Sequence, residues 1–417
     1  MRQRIAAGSV SVATPAQPGV TSDAAPARLG YVDGLRALAA LYVVIFHIGF
    51  EVWGRHGSPT GIAHLLALPF QTGHPAVSVF IVLSGFSLML PIARKGYRLP
   101  WGIGGFYWRR ARRILPPYYF AIGLSLLLAW LFISQPTGTI WDGALHATWR
   151  DVLQHMLLVN DFALDGGQKI NYVFWSVAME CQIYLLFPAL ILLWRRYPPL
   201  VSTTLVVALS LILVVVLALT WIGRLPGYLN DEFDPQYIGL FSMGMFAASV
   251  YTAPSPHWIR LRDWRLWETL ALVSGAIAVA QGFRWPLYVI DVAVGASVVG
   301  LLLAASRPGR LNIVRAALEW RPLVWIGGFS YSLYLIHAPL IQVIWQYALH
   351  PLSWSETATY LTLLLVGLPL IVLASWGFWY LCERPFLNSR AGRTATAAFA
   401  SLPGKPSRRD AGADVRG

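Results

Sequence analysis

Long apolar runs recur along this chain, at about 35–53, 76–92, 113–133, 172–193, 200–222, 236–252, 267–282, 286–305, 323–346 and 357–381. Each approaches the ~20 residues that a helix needs to cross the hydrocarbon core of a bilayer. A segment in lipid must satisfy its own backbone hydrogen bonds, so repeated runs of this length leave few folds open. They predict an all-α, polytopic membrane helix bundle of about ten transmembrane helices, with the short second, sixth and seventh runs the least secure. Composition agrees. Of 417 residues, 56% are hydrophobic and 12% charged, whereas soluble domains average about 25% charged.

A net charge of +13 invites a nucleic-acid reading, but its placement argues against one. Of the 32 Lys and Arg, 27 fall in the N-terminal segment through Arg36, in alternate short loops, and after residue 381. Only Arg55, Arg150, Lys169, Arg224 and Arg284 fall elsewhere. Basic residues concentrate on the cytoplasmic side of membrane proteins, so this bias predicts both termini inside. Many of the 19 Trp lie near the ends of apolar runs, as an interfacial belt requires. Cys181 and Cys382 offer neither a disulfide framework nor metal-ligand spacing. Residues 1–28 lack the continuous apolar core of a signal peptide and read as a disordered tail. Residues 29–387 form the membrane domain, and 388–417 a disordered basic tail near anionic headgroups.

Within the first run, GYVDGLRALAALYVVIFHIGFEVW, Arg36 stands at the mouth and His47 deep inside. Eleven residues are about three helical turns, so the two share a face and stand ~16 Å apart along the axis. Ionisable residues inside a bilayer face a cavity or a partner and mark function. A lone histidine can also be a helix-packing residue, and Asp33 with Arg36 a simple interfacial ion pair. Two further groups bear on that choice. Glu180, in YVFWSVAMECQIYLLFP, and His337, in GGFSYSLYLIHAPL, lie on other runs. With the termini inside, all three groups sit ~18–21 Å above the inner boundary. Unrelated packing residues have no reason to share a depth. Each retains a bland reading: a protonated, hydrogen-bonded Glu180, and a His337 that satisfies a helix kinked at Pro339. Asp291 reads as interfacial.

A basic cluster, FYWRRARRILPPYY, precedes the third run. It can be an inner-leaflet anchor and no more. Arg110 and Arg113, however, are spaced i,i+3 and can share a helix face. With Arg36 they could clamp a phosphate, which guanidinium groups grip bidentately. Ser84, in VFIVLSGFSLML, reads first as a small residue for close helix packing, and second as a polar contact to substrate. The longest outer segment, 134–171, is acidic and has the Trp and Leu for short interfacial helices.

Together these stretches resemble the acyltransferase-3 family of integral-membrane acyltransferases. The resemblance rests on DGLRALAALYVVIFH at 33–47, VFIVLSGF at 79–86 and the Arg110–Arg113 step with Pro116. It continues through WSVAMECQIYLLFP at 175–188, SYSLYLIHAP at 330–339 and CERP at 382–385. One departure is Cys181, where the family pattern usually has a second acid after Glu180. The resemblance implies transfer of an acyl group, often acetyl, from acyl-CoA to a hydroxyl of a carbohydrate or other glycosylated acceptor. Acyl-CoA is then a co-substrate, with no permanently bound cofactor and no metal. Arg36, Arg110 and Arg113 would hold the CoA phosphates, and the pantetheine arm would run along the first helix. His47 would be the general base and Glu180 its orienting group, with a covalent acyl-histidine left open. Tyr334, His337 and Ser84 would position substrate. A stand-alone domain in a bacterial inner membrane is expected, with no appended SGNH-type hydrolase. Two readings compete: an acceptor that is a small glycosylated metabolite, and a transporter whose His and Glu relay protons. The lack of visible inverted repeats counts against transport.

Overall fold

The computed structural model describes residues 29–54, 59, 61–70, 72–162, 168–221, 234–253, 265–281, 287–306 and 313–387. The two expected tails and most of the polar loop at 223–235 lie outside them. Among the described residues there are helices and turns and no strand. The main elements are α1 (Gly30–Trp53), α2 (His74–Ala93), α3 (Gly102–Leu131), α4 (Trp175–Arg196) and α5 (Pro199–Trp221). They continue with α6 (Gln236–Thr252), α7 (Leu266–Gln281), α8 (Leu287–Ala305), α9 (Arg321–Gly327), α10 (Ser330–Ile344), α11 (Glu356–Thr362) and α12 (Leu368–Phe378).

All ten apolar runs are helical where they are described. Among the described residues, seven helices are long and apolar enough to cross a membrane, or up to eight if the bent pair α9–α10 is one span. The sixth and seventh runs give α6, with 17 residues, and α7, with 16. The ninth run is not one straight helix. α9 and the helical stretch Ser330–Leu352 meet at 77°. Gly327 and Gly328 supply the flexible step, as paired small residues do at sharp kinks. The bend also makes room: a Cβ on Gly327 would stand 2.0 Å from the Asp33 carbonyl oxygen of α1. The long outer segment does carry a short helix, Trp149–Met156, closed by a Thr148–Asp151 capping box.

Backbone-to-backbone packing sets the core. Gly85 of α2 lies against the Phe241 carbonyl of α6, and Gly244 of α6 against the Val82 carbonyl of α2. Such reciprocal small-residue contacts let helices approach where lipid offers no hydrophobic drive. α1 sits among α2, α9 and α10, which places the helix carrying His47 inside the bundle. Asp291 of α8 is fully buried within the bundle. It accepts from Ser78 and Gln236 and lies 3.1 Å from His74, so donors from α2 and α6 satisfy it. A buried carboxylate demands such partners.

Candidate active site

The His47 ring meets the His337 ring, Nδ1 to Nε2 at 2.9 Å. The partners on the far side of His337 decide the direction of that bond. Its Nδ1 lies 2.7 Å from the Tyr334 carbonyl oxygen and 3.1 Å from that of Leu333. A carbonyl oxygen can only accept, so His337 Nδ1 carries a proton and, in the neutral ring, Nε2 is an acceptor. His47 Nδ1 must then donate, which leaves His47 Nε2 with its lone pair. The proton positions follow from the chain of partners. Tyr172 flanks the pair, its ring centroid 5.2 Å from that of His47.

Pro339 explains why α10 can hold this arrangement without breaking. Its missing N–H leaves the Leu335 carbonyl without its helical partner. Asn171 Nδ2 donates to that oxygen at 3.1 Å, from a fully buried position. His337 therefore does not satisfy the proline break, as it might have done; Asn171 does, and His337 is free to turn to α1.

Glu180 lies elsewhere. Its Oε1 accepts from the Ser84 hydroxyl at 2.7 Å and from the Tyr184 hydroxyl. Arg110 is close enough to act on it electrostatically. The contacts from His47 run through His337 to Tyr334, whose hydroxyl lies 2.6 Å from Ser176 Oγ. Ser176 is one helical turn before Glu180. Among the described residues no hydrogen bond joins Glu180 to His47, and the side chain that His47 meets is His337. The Tyr334 hydroxyl is also committed, since it donates to the Val173 carbonyl.

Arg36 bridges Asp33 at 3.0 Å and donates to the Ser87 hydroxyl at 2.6 Å. Ser87 and Ser84 are spaced i,i+3 on α2, so Arg36 and the Glu180–Arg110 group meet one polar stripe from two sides. Ser84 thus bonds to Glu180 of α4 and is not only a packing residue. Arg110 and Arg113 part company: Arg113 is exposed, while Arg110 Nε is buried without a hydrogen-bond partner. Arg36, Ser84, Ser87, His47 and Glu180 are each half-buried amid fully buried neighbours.

The sequence reading gave no role to Ser87, Asn171 or Glu383. Ser87 had a signal, its spacing from Ser84. Glu383, inside the CERP stretch, is buried and accepts from Ser332 of α10, beside Arg113. Asn171 had none, because the carbonyl that it serves lies 164 residues away.

The family model described as "Acyltransferase domain" (Acyl_transf_3) matches residues 29–380. The peptidoglycan O-acetyltransferase OatA of Listeria monocytogenes is 24% identical over 332 residues, covering 74% of this chain and 49% of the relative. The O-acetyltransferase OatA of Staphylococcus aureus is 26% identical over 345 residues, 77% of this chain and 52% of the relative. A putative peptidoglycan O-acetyltransferase of Bacillus subtilis, YrhL, is 24% identical over 74% of this chain and 48% of its own length. The chain spans about half the length of these relatives. No solved structure matches it significantly. With a family model covering residues 29–380, nearly the whole described bundle, the chain belongs to the acyltransferase-3 family of membrane proteins.

Proposed function

We propose that this protein is an integral-membrane O-acyltransferase that moves an acyl group, acetyl first among candidates, from acyl-CoA to a carbohydrate hydroxyl. The observation that carries the proposal is the His47–His337 contact, which with the carbonyls behind His337 leaves the lone pair on His47 Nε2. A general base must present a lone pair in a fixed direction. Here a second imidazole, anchored on backbone carbonyls, does what the third member of a nucleophile–base–orienter set does elsewhere. His47 Nε2 takes the proton of the acceptor hydroxyl as its oxygen attacks the thioester carbonyl. The sulfur leaves as thiolate and receives the proton back from His47. The transient positive charge is shared across the bond to His337.

Arg36 and Arg110 would hold the phosphates of the donor. The bare Nε–H of Arg110 fits an anion, and Arg36 stands ~16 Å along α1 from His47, a length the pantetheine arm can bridge. The names of the relatives favour a cell-wall glycan as acceptor. Both termini inside a bacterial cytoplasmic membrane would deliver acyl-CoA to the arginine end.

The test is full-length protein in lipid nanodiscs with acetyl-labelled acetyl-CoA and a β-linked N-acetylglucosamine oligosaccharide. Release of free CoA and label on the sugar are expected, with both lost in His47→Ala. Proton-coupled uptake of a solute without thioester loss would overturn the proposal in favour of transport.

A further inference from the structure

Beyond His47, toward the C-terminal end of α1, polar groups collect that the chemistry above does not use. Glu51 follows His47 by four residues, so it lies on the same face, ~6 Å further from Arg36. It is 3% exposed, and neither carboxyl oxygen has a hydrogen-bond partner among the described residues. The Tyr172 hydroxyl and the Trp141 Nε1 are likewise buried and unpartnered. The three belong together. The Tyr172 ring packs on His47 at 5.2 Å and on Trp141 at 5.7 Å, and the Glu51 carboxyl is near enough to act on Tyr172 electrostatically. Thr139 and Asp142 lie alongside Glu51, without a hydrogen bond to it that meets ordinary geometry.

Native structures rarely leave such groups unmet, and here four atoms on three adjacent side chains are unmet at once. The loop that brings Trp141 is not slack. Asp142 accepts from the Thr137 and Gly138 amides, both at 2.8 Å. Gln342 of α10, fully buried, accepts from Thr139 at 2.9 Å and donates to Thr137 at 3.1 Å. One helix therefore fixes the base through His337 and the loop through Gln342. The unmet atoms are held in place by satisfied neighbours, as in a preorganised site.

The chemistry of the set is selective. A carboxyl group with free lone pairs accepts from hydroxyls; a phenol and an indole donate, and their faces cover C–H surface. That combination suits a ring with several hydroxyl groups on its edge and apolar faces. It is ill suited to the phosphates of a nucleotide, since a carboxyl, a phenol and an indole offer an anion no positive charge to pair with. We infer that Glu51, Trp141 and Tyr172 form the acceptor-sugar subsite, which rests on the acyltransferase reading above. Glu51 grips hydroxyls neighbouring the one presented to His47, and the two aromatic side chains bound the ring. Donor and acceptor then approach His47 from opposite ends of one helix face, the thioester from the Arg36 end and the sugar from the Glu51 end.

Two measurements test this on the full chain in lipid nanodiscs. In the first, equilibrium binding of a labelled β-linked N-acetylglucosamine tetrasaccharide is measured without any acyl donor, so that its outcome is independent of catalysis. Glu51→Gln and Tyr172→Phe should each weaken binding about tenfold, the scale of one lost hydrogen bond to a charged or buried group. In the second, turnover of acetyl-CoA is followed at varied sugar. The half-saturating sugar concentration should rise by a similar factor in Glu51→Gln, with the acetyl-CoA half-saturation changed less than about twofold. Sugar binding that is absent from the wild type, or equal in the wild type and both variants, would overturn the subsite. A parallel rise in the acetyl-CoA requirement would also overturn it, by placing Glu51 on the donor path. Sugar bound through Glu51 with no thioester cleavage would instead keep the subsite and sink the acyltransferase reading.

Discussion

Replacing His337 with alanine removes the acceptor that fixes the His47 tautomer and leaves the base itself in place. In the wild type three contacts converge on the His337 ring, at 2.7, 2.9 and 3.1 Å. The substitution leaves His47 Nδ1–H with the Val43 carbonyl of its own helix in place of its partner across the bundle, at a cost of up to about 1–3 kcal/mol, the upper end being that of a buried donor left wholly unmet. The ring can recover part of that by rotating or by moving its proton to Nε2, and either change spoils the lone pair offered to the acceptor. At 1.36 kcal/mol per decade, kcat should fall about 10- to 100-fold, with little change in the acetyl-CoA half-saturation. The decisive assay is a double-mutant cycle on CoA release. If His337 acts only through His47, the double variant His47→Ala/His337→Ala should be no slower than His47→Ala alone. Losses that multiply would show that His337 touches substrate independently, and an unchanged kcat in His337→Ala would refute the tautomer argument outright.

Two further predictions concern stability. A Cβ on Gly244 would lie 2.0 Å from the Val82 carbonyl oxygen and 2.7 Å from the Phe86 amide nitrogen. Gly244→Ala should therefore cost about 1–3 kcal/mol as α2 and α6 are forced apart. Gly104→Ala, where nothing lies within 4 Å, should be neutral; a thermal-shift comparison in which the two behave alike would refute the close approach. The second concerns Asp161, in the outer segment. Burial pushes its carboxyl from 3.8 up to about 6, although Gln182 donates to both oxygens. A raised carboxyl pKa favours the protonated form in the fold, so this group's contribution is most favourable below pH ~4 and is lost as pH rises through about 6. Asp161→Asn should thus gain up to about 2 kcal/mol over the wild type at pH 7–8 and almost nothing at pH 4, allowing for residual solvent screening. Melting curves across that range check it, and a gain independent of pH would refute the assignment to this carboxyl.

The legibility of the site followed the range of the interactions. Arg36 and His47 could be placed on one face from spacing alone, because a helix converts sequence distance into direction. The meeting of His47 and His337 was foreshadowed only as a shared depth, since two positions 290 residues apart have no local signature of contact. Depth also suggested Glu180 as the partner of His47. It could not rank the two, because depth fixes height along the bilayer normal and says nothing about azimuth. The choice was made by α2, whose Ser84 engages Glu180 together with Tyr184. Glu51 was readable in principle, four residues beyond His47 on the same face. It stayed silent because a glutamate near a helix end is ordinary until it proves buried and unmet.

By itself the sequence determined that this chain is a multi-pass helical bundle, and where its helices run. The reason is physical: lipid cannot hydrogen-bond the backbone, so apolar length alone dictates helix. It also marked His47, Glu180 and His337 as ionisable groups within apolar runs. Only the tertiary structure decided which of these face each other, that the ninth run bends by 77° at its glycine pair, and that Asp291 is interior. Those outcomes depend on the rotation of each helix about its axis and on backbone contacts such as Gly85 with Phe241. Rotation is set by neighbours distant in the chain, and a single strand of sequence carries no record of it.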